Sequence, residues 1–145
     1  MDTRSKILTL DAALQLAPPV TPFVTPLVTP LLTPLLTVVT GYFDGLRAEH
    51  VRDLQRARAL ATGVARNDGP LLAIVLPGTA PLLNQRARAE LVAALRVVDY
   101  VVSADDRDLD RIIAAFPPSQ LVRLEAADER RSRQLMEHVR SRQAR

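Results

Sequence analysis

The stretch Val38–His50 reads VVTGYFDGLRAEH and decides how the rest of the chain is interpreted. Its apolar, β-branched start followed by Gly41 is typical of a buried strand that ends at a turn. A helix begins near Ala48, and the first N–H groups of a helix are free to bind an anion. The stretch therefore predicts a strand, a turn that can face a ligand, and a helix that carries His50 in its first turn.

The alternation of strands and helices continues to the end of the chain. Apolar runs predict strands, and helical spacing of apolar residues predicts helices. The predicted strands are 37–43, 71–76, 97–102 and 120–124, and the predicted helices are 8–17, 48–62, 83–96, 106–115 and 127–143. Strands separated by helices favour βαβ units and a parallel sheet. The predicted fold class is α/β, a single doubly wound (Rossmann-like) domain of four to five parallel strands with flanking helices.

Residues 21–37 form a repeat of Thr-Pro followed by two apolar residues, TPFVTPLVTPLLTPLLT. Each proline lacks the N–H group that a helix or a central strand needs, so the repeat predicts an extended, polyproline-like linker. It is either a docking segment for an aromatic-lined groove or a tandem expansion in a tolerant loop. We therefore divide the chain into an N-terminal helical segment (1–17), a Thr-Pro linker (18–36) and the α/β domain (37–145).

Composition excludes several classes of function. The chain has 145 residues, a net charge of +3 and only 3% aromatic residues, which argues against a nucleic-acid-binding surface. It has no cysteine and two histidines, so neither a disulfide framework nor a transition-metal site is expected. The start does not resemble a secretion signal, and no apolar run is long enough to cross a membrane. These features predict a cytoplasmic protein that does not contact a membrane.

His50 is the candidate catalytic residue. A histidine at a helix start can donate to a phosphate and stabilise charge that develops during phosphoryl or nucleotidyl transfer. Gly41 lets a ligand approach the backbone closely, and the carboxyl ends of parallel strands are where such folds bind ligands. The alternative is that this histidine is structural or merely exposed.

Two blocks of the sequence, VVTGYFDGLRAEHVRDLQRAR (38–58) and RAELVAALRVVDYVV (88–102), resemble the cytidylyltransferase-like nucleotidylyltransferases. Together with KILTLDAAL near the start, they are most similar to the adenylyltransferase domain of the bifunctional heptose-phosphate kinase/adenylyltransferases. Members of the family join a nucleoside triphosphate to a phosphorylated small molecule and release pyrophosphate, usually with magnesium. The resemblance implies a doubly wound domain that binds ATP or CTP with Mg²⁺ and a sugar phosphate or other small phosphate.

The family motif is Gly-x-Phe-Asp, two apolar residues and His-x-Gly-His, and it implies roles for individual residues here. His50 matches the second histidine of the motif and would be catalytic. Arg96 matches a basic position that serves the phosphates or a dimer interface. Six residues would bind the nucleotide: Gly41, Tyr42, Phe43, Asp44, Arg47 and Arg88.

The chain departs from that motif in ways that predict weakened or lost activity. Arg47 stands at the first motif histidine and Glu49 at the motif glycine, and no glycine or Ser/Thr-rich turn follows Gly78. Loss of one preorganised donor typically costs about 2.7–4 kcal/mol of barrier. Three readings stay open: a degenerate domain that retains phosphate binding, a non-catalytic scaffold or interaction module, and a transferase in which Arg47 replaces the missing histidine.

The last helix, 127–143, mixes acids and arginines. A solvated, salt-bridged helix is expected, with a basic tail for an anionic partner as the alternative. Leu135, Met136 and Val139 form a narrow apolar stripe that would dock on the sheet or on a second subunit, in a homodimer. The acidic residues 105–110 are expected to cap a helix rather than to bind a metal.

Overall fold

The computed structural model describes residues 2–18, 36–60 and 69–144 of the chain. Its core is a parallel sheet with helices on both faces. The strands are β1 (Thr37–Gly41), β2 (Leu71–Val75), β3 (Tyr100–Ser103) and β4 (Leu121–Arg123). The helices are α1 (Leu10–Leu14), α2 (Ala48–Leu60), α3 (Gln85–Ala93), α4 (Asp106–Ala115) and α5 (Glu125–Gln143), with short 3₁₀ turns at Thr3–Lys6 and Pro118–Gln120.

The strand order is β3-β2-β1-β4, and every pairing is parallel. The chain runs from β1 outward to β2 and β3 and then returns to place β4 against the free side of β1. The strand order thus reverses between β1 and β4, and open α/β sheets bind ligands at such a point, beyond the carboxyl ends of the strands. The predicted doubly wound α/β fold is confirmed.

Successive residues of the central strands face opposite sides of the sheet, and each side has its own hydrophobic cluster. Val39 and Ala73 face α2 and α3, whereas Val38 and Leu72 face α1 and α4. All four side chains are fully buried, which explains why these strands read as continuous apolar runs. Among the described residues, no member of either cluster comes from α5.

The N-terminal segment packs on the same core. Leu8 N–H donates to the carbonyl of Val101 at 2.8 Å, and the Lys6 ammonium group donates to the carbonyl of Val98 at 2.8 Å. These bonds tie residues 2–18 to the edge strand β3. The predicted linker, 18–36, lies outside the described residues except at its two ends.

The predicted helices 8–17 and 83–96 are shorter in the structure, where they span Leu10–Leu14 and Gln85–Ala93, and one predicted strand starts late. The expected strand 97–102 begins only at Tyr100, because the chain first turns after α3. In that turn Val98 N–H donates to Leu95, and Asp99 N–H already donates to Leu71 of the neighbouring strand. Within the described parts of the chain, no helix has both the length and the apolar character needed to cross a membrane.

Candidate functional site

The loop after β1 lies at the point where the strand order reverses, beside the start of α5. Phe43 has a left-handed backbone (φ +51°), which turns the chain sharply after the strand. A Cβ atom on Gly41 would lie 2.9 Å from a carboxylate oxygen of Asp128 and 3.1 Å from the Phe43 ring. Glycine is therefore required here because a side chain of α5 approaches the backbone closely.

The Asp128 carboxylate receives three N–H donors at this point. One oxygen, Oδ2, accepts from the backbone N–H groups of Tyr42 at 2.9 Å and Phe43 at 3.3 Å. The other, Oδ1, lies 3.1 Å from Nε2 of His50. Asp128 is only 4% exposed, so these bonds offset the cost of burying its charge. The loop that the resemblance assigns to a nucleotide thus binds a carboxylate of the chain itself.

His50 is buried at 2% exposure and hydrogen-bonded through both ring nitrogens. Its Nδ1 accepts from the backbone N–H of Arg47 at 3.0 Å. Because Nδ1 is an acceptor, the ring proton resides on Nε2 and is donated to Asp128. The imidazole is therefore oriented as a donor toward the β1 loop, but its donated proton is directed at Asp128.

Arg131, one turn beyond Asp128 on α5, joins this helix to α2. Its guanidinium contacts the carboxylate of Glu49 at 3.2 Å, that of Asp53 at closer range, and that of Asp128 at 3.6 Å. The hydrogen bond with Asp53 is the main cause that raises the pKa of Arg131, and burial opposes it. Glu49 therefore points toward α5.

The expectation that the last helix is solvated along its whole length is wrong for its first turns. Asp128 is buried and the Arg131 side chain is 20% exposed, so both belong to the site. From residue 132 to residue 144 every position is exposed, including the apolar stripe Leu135, Met136 and Val139. The stripe therefore does not dock on the sheet of the same chain.

Asp44 and Arg88, both expected to bind a nucleotide, hold loops of the protein together. The Asp44 carboxylate accepts from the backbone N–H of Leu82 at 2.7 Å and from that of Leu83 at 3.2 Å. Arg88 is 1% exposed, and burial lowers its pKa. Its guanidinium donates to four backbone carbonyls, those of Tyr42, Leu76, Pro77 and Leu83. These contacts join the loops after β1 and β2 and leave Arg88 directed at carbonyls rather than at a cleft.

Arg47 is the expected binding residue whose side chain keeps its polar groups available, whereas the Tyr42 hydroxyl faces an acid of α5. Among the described residues, the Arg47 side chain has no hydrogen-bond or ion-pair partner, whereas its backbone N–H orients His50. The Tyr42 hydroxyl lies 3.4 Å from Glu129, and burial, followed by the charge of Glu129, raises the pKa of Tyr42. Arg96 is exposed and lies in the turn after α3.

A cleft of about 340 Å³ opens beside Tyr42, between the loop after β2 and α5. Small-molecule sites range from about 300 to 1,000 Å³, so the cleft is at the lower end of that range. Its polar lining comes from Asp44, Thr79, Glu129, Ser132 and Arg133. Of the residues expected to bind a nucleotide, Tyr42 and Asp44 reach this cleft.

Two of the acidic residues in 105–110, Asp105 and Asp108, cap α4, as expected. Asp105 accepts from the backbone N–H of Asp108 at 2.8 Å, and Asp108 accepts in return from that of Asp105, which forms a capping box. In the described ranges, no three His, Cys, Asp or Glu side chains are grouped so that they could hold a metal ion.

The sequence does not mark Asp128 and Arg131 as site residues, because both look like ordinary members of a charged helix. The sequence feature that could have indicated a role for Asp128 is its position in the first turn of the helix after β4, where an acid is stabilised by the helix dipole. Its contact with the β1 loop follows only from the strand order, which puts β4 next to β1.

Comparison with known proteins gives matches over part of the chain. No protein-family model matches it. Over 85 residues, 57% of this chain, it is 38% identical to the bifunctional protein HldE of Rhodopseudomonas palustris, and over 93 residues it is 36% identical to HldE of Pelobacter propionicus. The chain resembles HldE. This confirms the resemblance drawn from the two sequence blocks and supports a nucleotidyltransferase-like domain.

The matched region accounts for 17% of the length of each of these two HldE proteins. A solved structure, the lipopolysaccharide core biosynthesis protein of Thermoplasma volcanium, superimposes with a TM-score of 0.46 at 24% identity. That superposition covers 56% of this chain and 67% of the Thermoplasma chain.

Proposed function

We propose that this chain is a nucleotidylyltransferase-like domain that does not turn over nucleoside triphosphates in the conformation described. One observation carries the proposal: Nε2 of His50 and the β1-loop N–H groups all donate to Asp128. In a working transferase such donors must be free to meet charge that develops on the transferred phosphate. Here they are bonded to a fixed negative charge, which repels a triphosphate.

The other family elements support the same conclusion. Arg88 is committed to backbone carbonyls and Glu49 to Arg131. In the described ranges no three His, Cys, Asp or Glu side chains are grouped so that they could hold a metal ion, and Mg²⁺ usually needs only one or two carboxylates together with substrate phosphates. The ligand classes to be tested are a nucleoside triphosphate and a phosphorylated small molecule. The proposed location is the cytoplasm.

The test is a pyrophosphate-release assay on the wild-type chain with ATP and with CTP, each with Mg²⁺ and a panel of sugar phosphates. We expect release no faster than in buffer. His50→Ala is the matched control, because its release must equal that of the wild type if His50 is not catalytic. Wild-type release that His50→Ala abolishes would show that the chain is an active transferase.

The second candidate function is a non-catalytic interaction module that pairs with another copy of this chain. It is favoured by the exposed stripe on α5, in which Leu135, Met136 and Val139 are 38%, 53% and 43% exposed. Arg133 and Glu137 beside the stripe carry opposite charges, so that helix pairing need not bring only like charges together. Sedimentation of wild type and Met136→Glu tests this candidate: a dimer that the substitution dissociates supports it, and a wild-type monomer at high concentration excludes it.

A further inference from the structure

The surroundings of Asp128 have the geometry of an anion-binding site. Two successive backbone N–H groups, of Tyr42 and Phe43, point at one oxygen, and successive N–H groups of this kind form an anion-binding concavity. The His50 N–H points at the second oxygen. The missing side chain of Gly41 leaves the space in which the anion lies, since a Cβ would come within 2.9 Å of it.

The helix that supplies this carboxylate is attached to the domain by charges and hydrogen bonds. Asp128 is its only buried residue among those described, and α5 contributes to neither hydrophobic cluster. Arg131 holds the helix against Glu49 and Asp53, and Thr40 donates to Glu125 at 2.9 Å. Such contacts compete with water, with salt and with another anion, whereas a buried apolar face would not.

We propose that Asp128 is a built-in anion that keeps this site closed, and that a phosphate-bearing anion binds the same donors once the carboxylate is withdrawn. The inference rests on the proposed function for the choice of phosphate as the anion. Carboxylate and phosphate cannot share the donors, because two negative charges a few ångströms apart repel each other. Release of α5 and binding of phosphate are therefore coupled.

Two further residues favour phosphate over a smaller anion. Arg47 adjoins the site through its bond to His50, and among the described residues its guanidinium has no partner. When Asp128 is removed by substitution and α5 stays in place, Arg131 loses one of its three carboxylate contacts and becomes a second guanidinium for the incoming anion. Guanidinium groups bind phosphate oxygens through paired, charge-assisted hydrogen bonds.

The experiment compares binding of inorganic phosphate and pyrophosphate, without nucleotide, by calorimetry and thermal shift. The variants are Asp128→Ala, Asp128→Asn, Asp128→Ala combined with His50→Ala, and Glu137→Ala. Glu137→Ala is the matched control, because it removes one negative charge from an exposed position further along the same helix. We expect at least tenfold tighter pyrophosphate binding by Asp128→Ala than by wild type, no gain for Glu137→Ala, and loss of the gain when His50 is also removed.

Two results with folded variants would overturn the inference. One is an Asp128→Ala variant that binds pyrophosphate no more tightly than wild type. The other is an equal gain in Glu137→Ala, which would mean a general charge effect. Should both Asp128 variants be unfolded in buffer, circular dichroism with added pyrophosphate decides: the inference predicts that the anion restores the fold by mass action, and failure to restore it contradicts the inference. Turnover of a nucleoside triphosphate by the wild type would refute the proposed function without affecting these binding results.

Discussion

Replacement of Asp128 by alanine should destabilise the domain strongly, although the residue lies in a polar helix. The substitution leaves two backbone N–H groups and the His50 N–H without their acceptor. Hydrogen bonds to a charged group contribute about 1.5–3 kcal/mol each. The bond to Phe43 is long at 3.3 Å, and loss of the carboxylate also removes the cost of burying its charge. A net loss of roughly 3 kcal/mol in the free energy of unfolding is expected.

Urea denaturation and calorimetry measure this loss. For a domain of this size about 3 kcal/mol corresponds to a fall in melting temperature of roughly 6–12 °C. Asp128→Asn should lose less, because its amide oxygen still accepts while the charge is gone. Glu137→Ala should stay within about 0.5 kcal/mol of wild type, as exposed substitutions usually do. A value for Asp128→Ala as small as that of Glu137→Ala would refute the reasoning, because the carboxylate could not then be bonded as described.

Three other predictions concern the surroundings of the site. Gly41→Ala should cost about 1–3 kcal/mol through its contact with Asp128, and a double-mutant cycle should show a smaller cost when Asp128 is already alanine. Arg88→Met should lower the free energy of unfolding by at least about 3 kcal/mol, the loss typical of a broken buried charged network, because four carbonyls lose their donor. A stability in urea close to that of wild type would contradict this role. The difference between the absorbance titrations of wild type and Tyr42→Phe should place the ionisation of Tyr42 above pH 10. The stability that this raised pKa gives should be present below pH 10 and lost as the pH rises further. A midpoint at or below pH 10 would contradict the direction of the pKa shift.

Much of the fold could be predicted because the central strands are buried on both faces. Val38, Val39 and the apolar run of β2 have no polar side to solvate, so strand type and parallel pairing follow from composition. The late start of β3 could not be predicted in the same way. Val97 and Val98 read as strand, but they lie in a turn whose bonds to Leu95 and Leu71 depend on tertiary neighbours.

Which residues meet at this point could be predicted where local sequence determines it, but not where strand order does. Gly41, the turn after β1 and His50 are consecutive parts of one βα unit, so their proximity follows from chain connectivity. Asp128 is 78 residues beyond His50, and it reaches the same point only because β4 returns to pair with β1. Charge patterning alone placed it on a solvated helix, since that pattern carries no information about which strand the helix follows.

The most direct test of the central claim is the protonation pattern of His50 by nitrogen-15 NMR, with exposed His138 as the internal reference. The structure predicts a proton on Nε2 that is donated to Asp128, and an unprotonated Nδ1 that accepts from the backbone N–H of Arg47. A proton on Nδ1 and none on Nε2 would contradict the account, because His50 could not then donate to Asp128.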